Sequence, residues 1–160
     1  MSTKIKAVPE GFHAVTPCLT LKNSVEAIEF YKKAFGAKAL DVFPSPDGKR
    51  TMHAVMQIGN SILMMGDEMP GQNCKSAASL GASPISLFLY VPNADAVFKQ
   101  AVDAGAIAVM PIADMFWGDR CGTVKDPFGY TWMIATHTRD MTRKEIEEGA
   151  RSFAAQAGKP

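Results

Sequence analysis

Leu19-Thr20-Leu21-Lys22-Asn23, followed by Ala27-Ile28-Glu29-Phe30-Tyr31 and Gly36-Ala37, returns later in the chain in altered form. The second version is Leu89-Tyr90-Val91-Pro92-Asn93, then Val97-Phe98-Lys99-Gln100-Ala101 and Gly105-Ala106. The offset is about 70 residues and slips by about one within the helical part. Gly59-Asn60-Ser61-Ile62-Leu63-Met64 stands opposite Gly129-Tyr130-Thr131-Trp132-Met133-Ile134 at the same offset. Self-similarity at one spacing marks a duplicated folding unit. A duplicated sheet unit brings two similar concave surfaces together, so a ligand is expected in the cleft between them.

Each copy reads as a strand, a helix and then a run of strands. Val15, Pro17, Leu19 and Leu21 alternate with Thr16, Cys18 and Thr20, the period of a half-buried strand. Asn23 or Ser24 can cap the helix that follows, with an apolar face expected at Val25, Ile28, Tyr31 and Phe35 and Gly36 as its end. Asp47-Gly48 marks a hairpin turn, and Met52 to Ile58 and Ser61 to Met65 read as strands joined at Gly59-Asn60. In the second copy Ile85 to Val91 alternates again, and a helix is expected over Ala94 to Ala104. Thr142 and Glu145 have the spacing of a capping box for a last helix.

Composition bounds the possibilities. A chain of 160 residues with 47% hydrophobic content builds one good core, so 1–160 is expected to be a single domain. Within it the first module is expected at 12–65, a linker rich in Gly, Ser, Ala and Pro at 66–84, the second module at 85–138 and a C-terminal helix or tail at 139–160. A net charge of +1 gives no reason to expect nucleic acid or a membrane surface as partner. No apolar segment follows Met1-Ser2-Thr3-Lys4 and no apolar run is long enough to span a bilayer, which points to the cytoplasm. Cys18, Cys74 and Cys121 are odd in number and form no CxxC pair, so reduced thiols are expected rather than disulfides or a zinc site.

A Phe30-Tyr31 pair followed by Phe35-Gly36, and an Asp126-Pro127-Phe128-Gly129 turn before the final strand, resemble the vicinal oxygen chelate superfamily. That superfamily holds glyoxalase I, bleomycin-resistance proteins and extradiol dioxygenases, and the resemblance covers residues 12 to 138. Trp117-Gly118-Asp119-Arg120, with Trp132 and Ile134-Ala135-Thr136-His137, is similar to the PhnB-like subgroup. A methyltransferase label attached to that subgroup finds no support here, because no Gly-rich nucleotide-binding turn is present. The resemblance implies an α+β fold: two tandem βαβββ modules forming a curved mixed sheet, with a concave cleft and helices outside. It also implies a homodimer.

Metal-dependent members resembling this chain place His, Gln or Glu ligands on the first and last strands of each module. Those positions carry over to Thr16 and Ser86, to Met133, and to Leu63 by the internal repeat or Met64 by the family pattern. Hydroxyls and thioethers are poor ligands for divalent metals that prefer imidazole and carboxylate. No cofactor is therefore expected. The alternative is a divalent metal held by substitute ligands such as His13, His53 or Glu68.

His53 alternates with Val55 and Gln57, opposite Met52, Ala54, Met56 and Ile58, which would place it in the cleft as a hydrogen-bonding or general-base group. A half-exposed strand histidine is the plainer reading. His137 reads as a surface or interface residue, Asp67 and Glu68 as a solvated junction, and Asp126 as turn scaffolding. Asp119-Arg120 reads either as a clamp for an anionic ligand or as a cross-strand ion pair. Cys18 and Cys121 have no adjacent activating base in sequence. The expected cleft wall of Thr16, Cys18, Thr20, Ser86, Phe88, Tyr90, Thr131 and Met133, closed at one end by Phe116 and Trp117, suits a neutral or flat aromatic ligand.

The expected ligand-binding set is thus Thr16, Cys18, Ser86, Phe88, Trp117, Arg120 and Met133, with His53 as the catalytic candidate. Three functions stay open at this point. One is a small-molecule binding protein without the usual metal ligands. A second is a metal-dependent lyase, isomerase or dioxygenase using substitute ligands. The third is a metal-free acid-base enzyme working through His53.

Overall fold

The computed structural model describes residues 5–157. They form two compact units, one built on the chain up to Pro84 with Pro127–Tyr130, the other on Ile85–Asp126 with the chain from Thr131 onward. The first unit holds β1 (Cys18–Leu21), α1 (Ser24–Phe35), β2 (Lys38–Pro44), β3 (Thr51–Ile58), β4 (Ser61–Asp67) and the short α2 (Ala77–Leu80). The second holds β5 (Ser86–Tyr90), α3 (Ala94–Asp103), β6 (Ile107–Asp114), β7 (Asp119–Lys125), β8 (Thr131–His137) and α4 (Arg143–Ala157). The sheets run β1-β4-β3-β2 and β5-β8-β7-β6. In each, the first strand lies parallel to the last and the other neighbours are antiparallel. This is an α+β fold of two tandem βαβββ modules, each with its own open mixed sheet.

The local signals for the helices act alike in both copies. The Asn23 side chain accepts from Glu26 N at 3.3 Å and the Asn93 side chain from Ala96 N at 3.0 Å, each satisfying one free donor of a first turn. Gly36 closes α1 at φ 64°, in the left-handed region where a Cβ is unfavourable. Thr142 and Glu145 exchange capping bonds ahead of α4.

Tertiary contacts changed several details. Val25 was expected inside and is exposed, while Ser24 is fully buried. The reason is Asp67, buried rather than solvated, whose Oδ1 accepts from Ser24 N at 2.6 Å and whose Oδ2 accepts from Thr51 N at 2.8 Å. That carboxylate fixes the rotation of α1, turning Ser24, Ala27, Tyr31 and Ala34 onto the sheet. Met52 was also expected inside and is exposed. Phe43 pairs with His53 but Pro44 pairs with Thr51, so Met52 is the extra residue of a bulge and is turned outward. β1 starts at Cys18 rather than Val15, and β4 runs to Asp67, into the stretch expected as linker.

The register resolves the Leu63/Met64 alternative. Cys18 pairs with Met64 as Phe88 pairs with Met133, so Met64 is the counterpart of Met133. Leu63 points to the opposite, helix-covered face and is buried.

Pro127–Tyr130, the tip between β7 and β8, belongs with the first unit. There the Phe128 ring meets Phe30 edge-on at 5.8 Å, and the Tyr130 hydroxyl donates to Thr20 O at 2.7 Å. In the second unit Gly122 lies under α3: a Cβ there would come within 2.8 Å of the Phe98 ring and 3.0 Å of Met110 O. Among the described residues, no helix is long and apolar enough to cross a membrane.

Candidate functional site

Side chains alternate along a strand, so the face of each sheet away from its helix can be read from the register. In the first unit that open face carries Cys18 and Thr20 of β1, Met64 and Gly66 of β4, and His53, Val55 and Gln57 of β3. At its end lies a pocket of about 190 Å³ whose lining includes Cys18, Thr20, His53, Gly66, Gln72 and Cys74. The His53 ring lies 6.3 Å from that of Phe43.

In the second unit the open face carries Ser86, Phe88 and Tyr90 of β5, Thr131, Met133 and His137 of β8, and Asp119, Cys121 and Thr123 of β7. Aromatic rings run across one end of it. Phe88 and Tyr90 are 4.9 Å apart and are 46% and 60% exposed. The Tyr90 hydroxyl and Trp117 Nε1 both donate to Oδ2 of Asp119, each at 2.9 Å. Trp117 meets Phe116 edge-on at 4.9 Å, and Phe116 meets Phe153 of α4 at 5.8 Å. Beside Phe116 a cavity of about 560 Å³ opens between β6 and α4, lined by Met110, Ala113, Met115, Phe116 and Phe153 among others. Gly149 lets α4 approach, since a Cβ there would stand 2.6 Å from that of Phe116.

Asp119 is the electrostatic centre of this face. It is 2% exposed, and its other oxygen, Oδ1, lies 2.8 Å from Nδ1 of His137. Burial pushes the Asp119 carboxyl up, but its bonds to His137, Tyr90 and Trp117 outweigh burial and hold it below the ordinary range. His137 is raised, first by its bond to Asp140 at 3.0 Å and then by Asp119. Tyr90 is raised because its proton is held by the Asp119 carboxylate. The arrangement keeps Tyr90 a proton donor and His137 oriented and prone to carry a charge.

Of the residues expected to bind ligand, Cys18 and the catalytic candidate His53 line one pocket of the first unit. Thr16 stands ahead of β1 and spends its hydroxyl on His13 O at 3.0 Å. Ser86, Phe88 and Met133 share the open face of the second unit, and Trp117 joins it through Asp119. Arg120 is turned away. Alternation puts it on the α3 side, where its guanidinium binds both oxygens of Asp95 at 2.7 Å and Asp114 at 3.1 Å. Of the two readings of Asp119-Arg120, the ion pair is the one formed, but with Asp95 and Asp114 rather than with Asp119.

The Asp119–His137 pair escaped sequence reasoning, because the two residues meet only through the β7–β8 register. The positions carried over from the resemblance hold Thr16, Met64, Ser86 and Met133, which offer hydroxyls and thioethers rather than imidazole or carboxylate. Among the described residues no group of three or more His, Cys, Asp or Glu side chains is gathered as a metal would need. Glu68, a possible substitute, is occupied at the start of α2, where it accepts from Ser76 N at 2.5 Å and is held down at about 2 by that bond.

The chain matches the Glyoxalase/Bleomycin resistance protein/Dioxygenase superfamily over residues 13–134 and belongs to it. The Mycobacterium tuberculosis protein Rv0887c is 38% identical over 142 residues, covering 87% of this chain and 83% of that protein. The solved structure of the Arabidopsis thaliana product At5g48480 is 31% identical, with a TM-score of 0.61 over 78% of this chain and 98% of that one. A PhnB protein from Bacillus cereus shares the fold, with a TM-score of 0.61 at 17% identity, covering 78% of this chain and 99% of that one.

Proposed function

We propose that this protein is a PhnB-like member of the superfamily that binds a small organic molecule, a flat aromatic one in particular, without the usual metal ligands. The observation that carries this reading is the aromatic run Phe88, Tyr90, Trp117 and Phe116, which leads across the second sheet to the 560 Å³ cavity. Ligand pockets are typically ~300–1,000 Å³ and mostly apolar, with a few placed polar groups; here Asp119, Tyr90 and His137 are those groups. Leaving Phe88 and Tyr90 half exposed costs about 25 cal/mol for each Å² of apolar surface, a cost that a stacked ligand recovers. Met133 beside Phe88 adds a polarisable contact.

The test is a thermal-shift screen of flat aromatic compounds, followed by tryptophan quenching. Trp132 is buried, so quenching reports Trp117. A true ligand raises Tm, quenches Trp117 and loses about tenfold in affinity on Phe88→Ala, the upper end of an aromatic pair's worth. Hits indifferent to Phe88 would refute the site.

Homodimerisation belongs to the same proposal. Val42 and Phe43 on edge strand β2, and Ile107 and Val109 on edge strand β6, are exposed apolar side chains that support it. Light scattering on the eluting protein distinguishes monomer from dimer. The cytoplasm remains the proposed location.

A further inference from the structure

Cys18 and Cys74 are exposed free thiols that the proposed ligand site does not use, and the fold brings both to one pocket. β1 delivers Cys18 to the open face opposite Met64. Cys74 comes from the segment after β4, and that segment is tied at both ends. Glu68 N donates to Leu21 O at 2.7 Å, which extends the β1–β4 pairing by one bond. The Glu68 carboxylate then accepts from Ser76 N, and Ser76 Oγ caps α2 by accepting from Ser79 N at 3.1 Å. Between these anchors the chain reverses at Gly71, φ 80°, with Gln72 N donating to Met69 O at 3.2 Å.

The result is the 190 Å³ pocket lined by both thiols, with Thr20 and Gly66 beside them and the His53 imidazole among its walls. The thiol of Cys18 is raised first by its partial burial in this pocket and then by its electrostatic interaction with Cys74. Cys121 is fully buried in the second unit.

We propose that Cys18 and Cys74 form an oxidisable dithiol whose co-reactant is a small hydroperoxide. The Cys74 thiolate attacks the peroxide oxygen; the O–O bond breaks and the alkoxide or hydroxide leaves and takes a proton. Cys74 is then a sulfenic acid. Cys18 Sγ, giving up its proton, attacks the Cys74 sulfur; the S–O bond breaks, water leaves and the S–S bond forms. Two thiols lose two electrons in all, and the hydroperoxide is reduced to an alcohol, or to water, plus one further water. The bridge ties the 68–76 segment to β1 across the pocket.

The test treats the reduced full chain with hydrogen peroxide, blocks free thiols with iodoacetamide, and counts and maps them after denaturation. Three thiols per chain should fall to one, with a Cys18–Cys74 linked peptide, and dithiothreitol should restore all three. Cys121→Ser should still form the link. Cys18→Ser should stop at a Cys74 sulfenic acid that dimedone traps; both partners are exposed, so these variants should fold. Three surviving thiols, an intermolecular Cys74–Cys74 link, or a bridge to Cys121 would each overturn the proposal.

Discussion

His137 Nδ1 stands 2.8 Å from Oδ1 of Asp119, directly across the β7–β8 ladder, and the carboxylate is buried while the imidazole is half exposed. A buried carboxylate that orients an exposed imidazole is a positioning arrangement. Here the same carboxylate also holds Tyr90 and Trp117, so one side chain sets the geometry of the whole aromatic face.

Asp119→Ala should therefore lower stability by about 1–3 kcal/mol, because the part-exposed donors Tyr90, Trp117 and His137 lose the buried charged acceptor they share. Chemical denaturation checks this, and an unchanged midpoint would contradict it. The variant should also weaken any ligand that depends on Phe88, through loss of Tyr90 positioning.

The pH dependence has a defined sign. His137 is raised in the folded chain above an unfolded value near ~6.5. Its contribution is therefore complete below about pH 6.5 and disappears as pH rises through the higher folded value. Asp119 is depressed, so its contribution is present above about pH 4 and is lost as pH falls through its lower folded value. Melting curves of wild type and His137→Gln should converge as pH rises from 6 towards 9. Because His137 is half exposed, solvent screening keeps the difference modest; a pH-independent gap would argue against the pairing.

Asp67→Ala should destabilise the chain by about 2–3 kcal/mol, since Ser24 N and Thr51 N lose a buried charged acceptor and α1 loses an anion at its N-terminus. Asp67→Asn, which keeps one acceptor oxygen, should cost less. Equal losses in the two variants would show that charge alone matters at this site.

Elemental analysis of protein purified without a histidine tag or chelator should return less than about a tenth of an equivalent of any transition metal. Excess zinc, nickel, manganese or iron(II) should leave Tm unchanged, because a metal bound only by the native state would raise it. Near-stoichiometric metal would place His13, His53 and Glu68 under mutational test.

Much of the architecture was legible because its causes are local. Asn23 caps by a side-chain bond to the residue three positions on, and Gly36 ends a helix through its own φ. The candidate site was legible in part. Ser86, Phe88 and Met133 could be assigned to one face by alternation, and the structure places them there. Val25 and Met52 were misplaced because a helix rotation set by Asp67 and a bulge against Pro44 involve partners distant in sequence.

The repeated strand–helix–strand pattern, the caps and the donor-poor chemistry of Thr16, Ser86 and Met133 were determined by the sequence alone, since residue type and near-neighbour spacing decide them. The tertiary structure alone decided that Met64 rather than Leu63 matches Met133, that Arg120 turns to Asp95, that Asp119 meets His137, and that Cys18 and Cys74 share a pocket. Each of these depends on register between separate strands or on a loop folding back. A shift of one residue in register moves every side chain to the other face, and nothing in a residue's immediate neighbours sets that register.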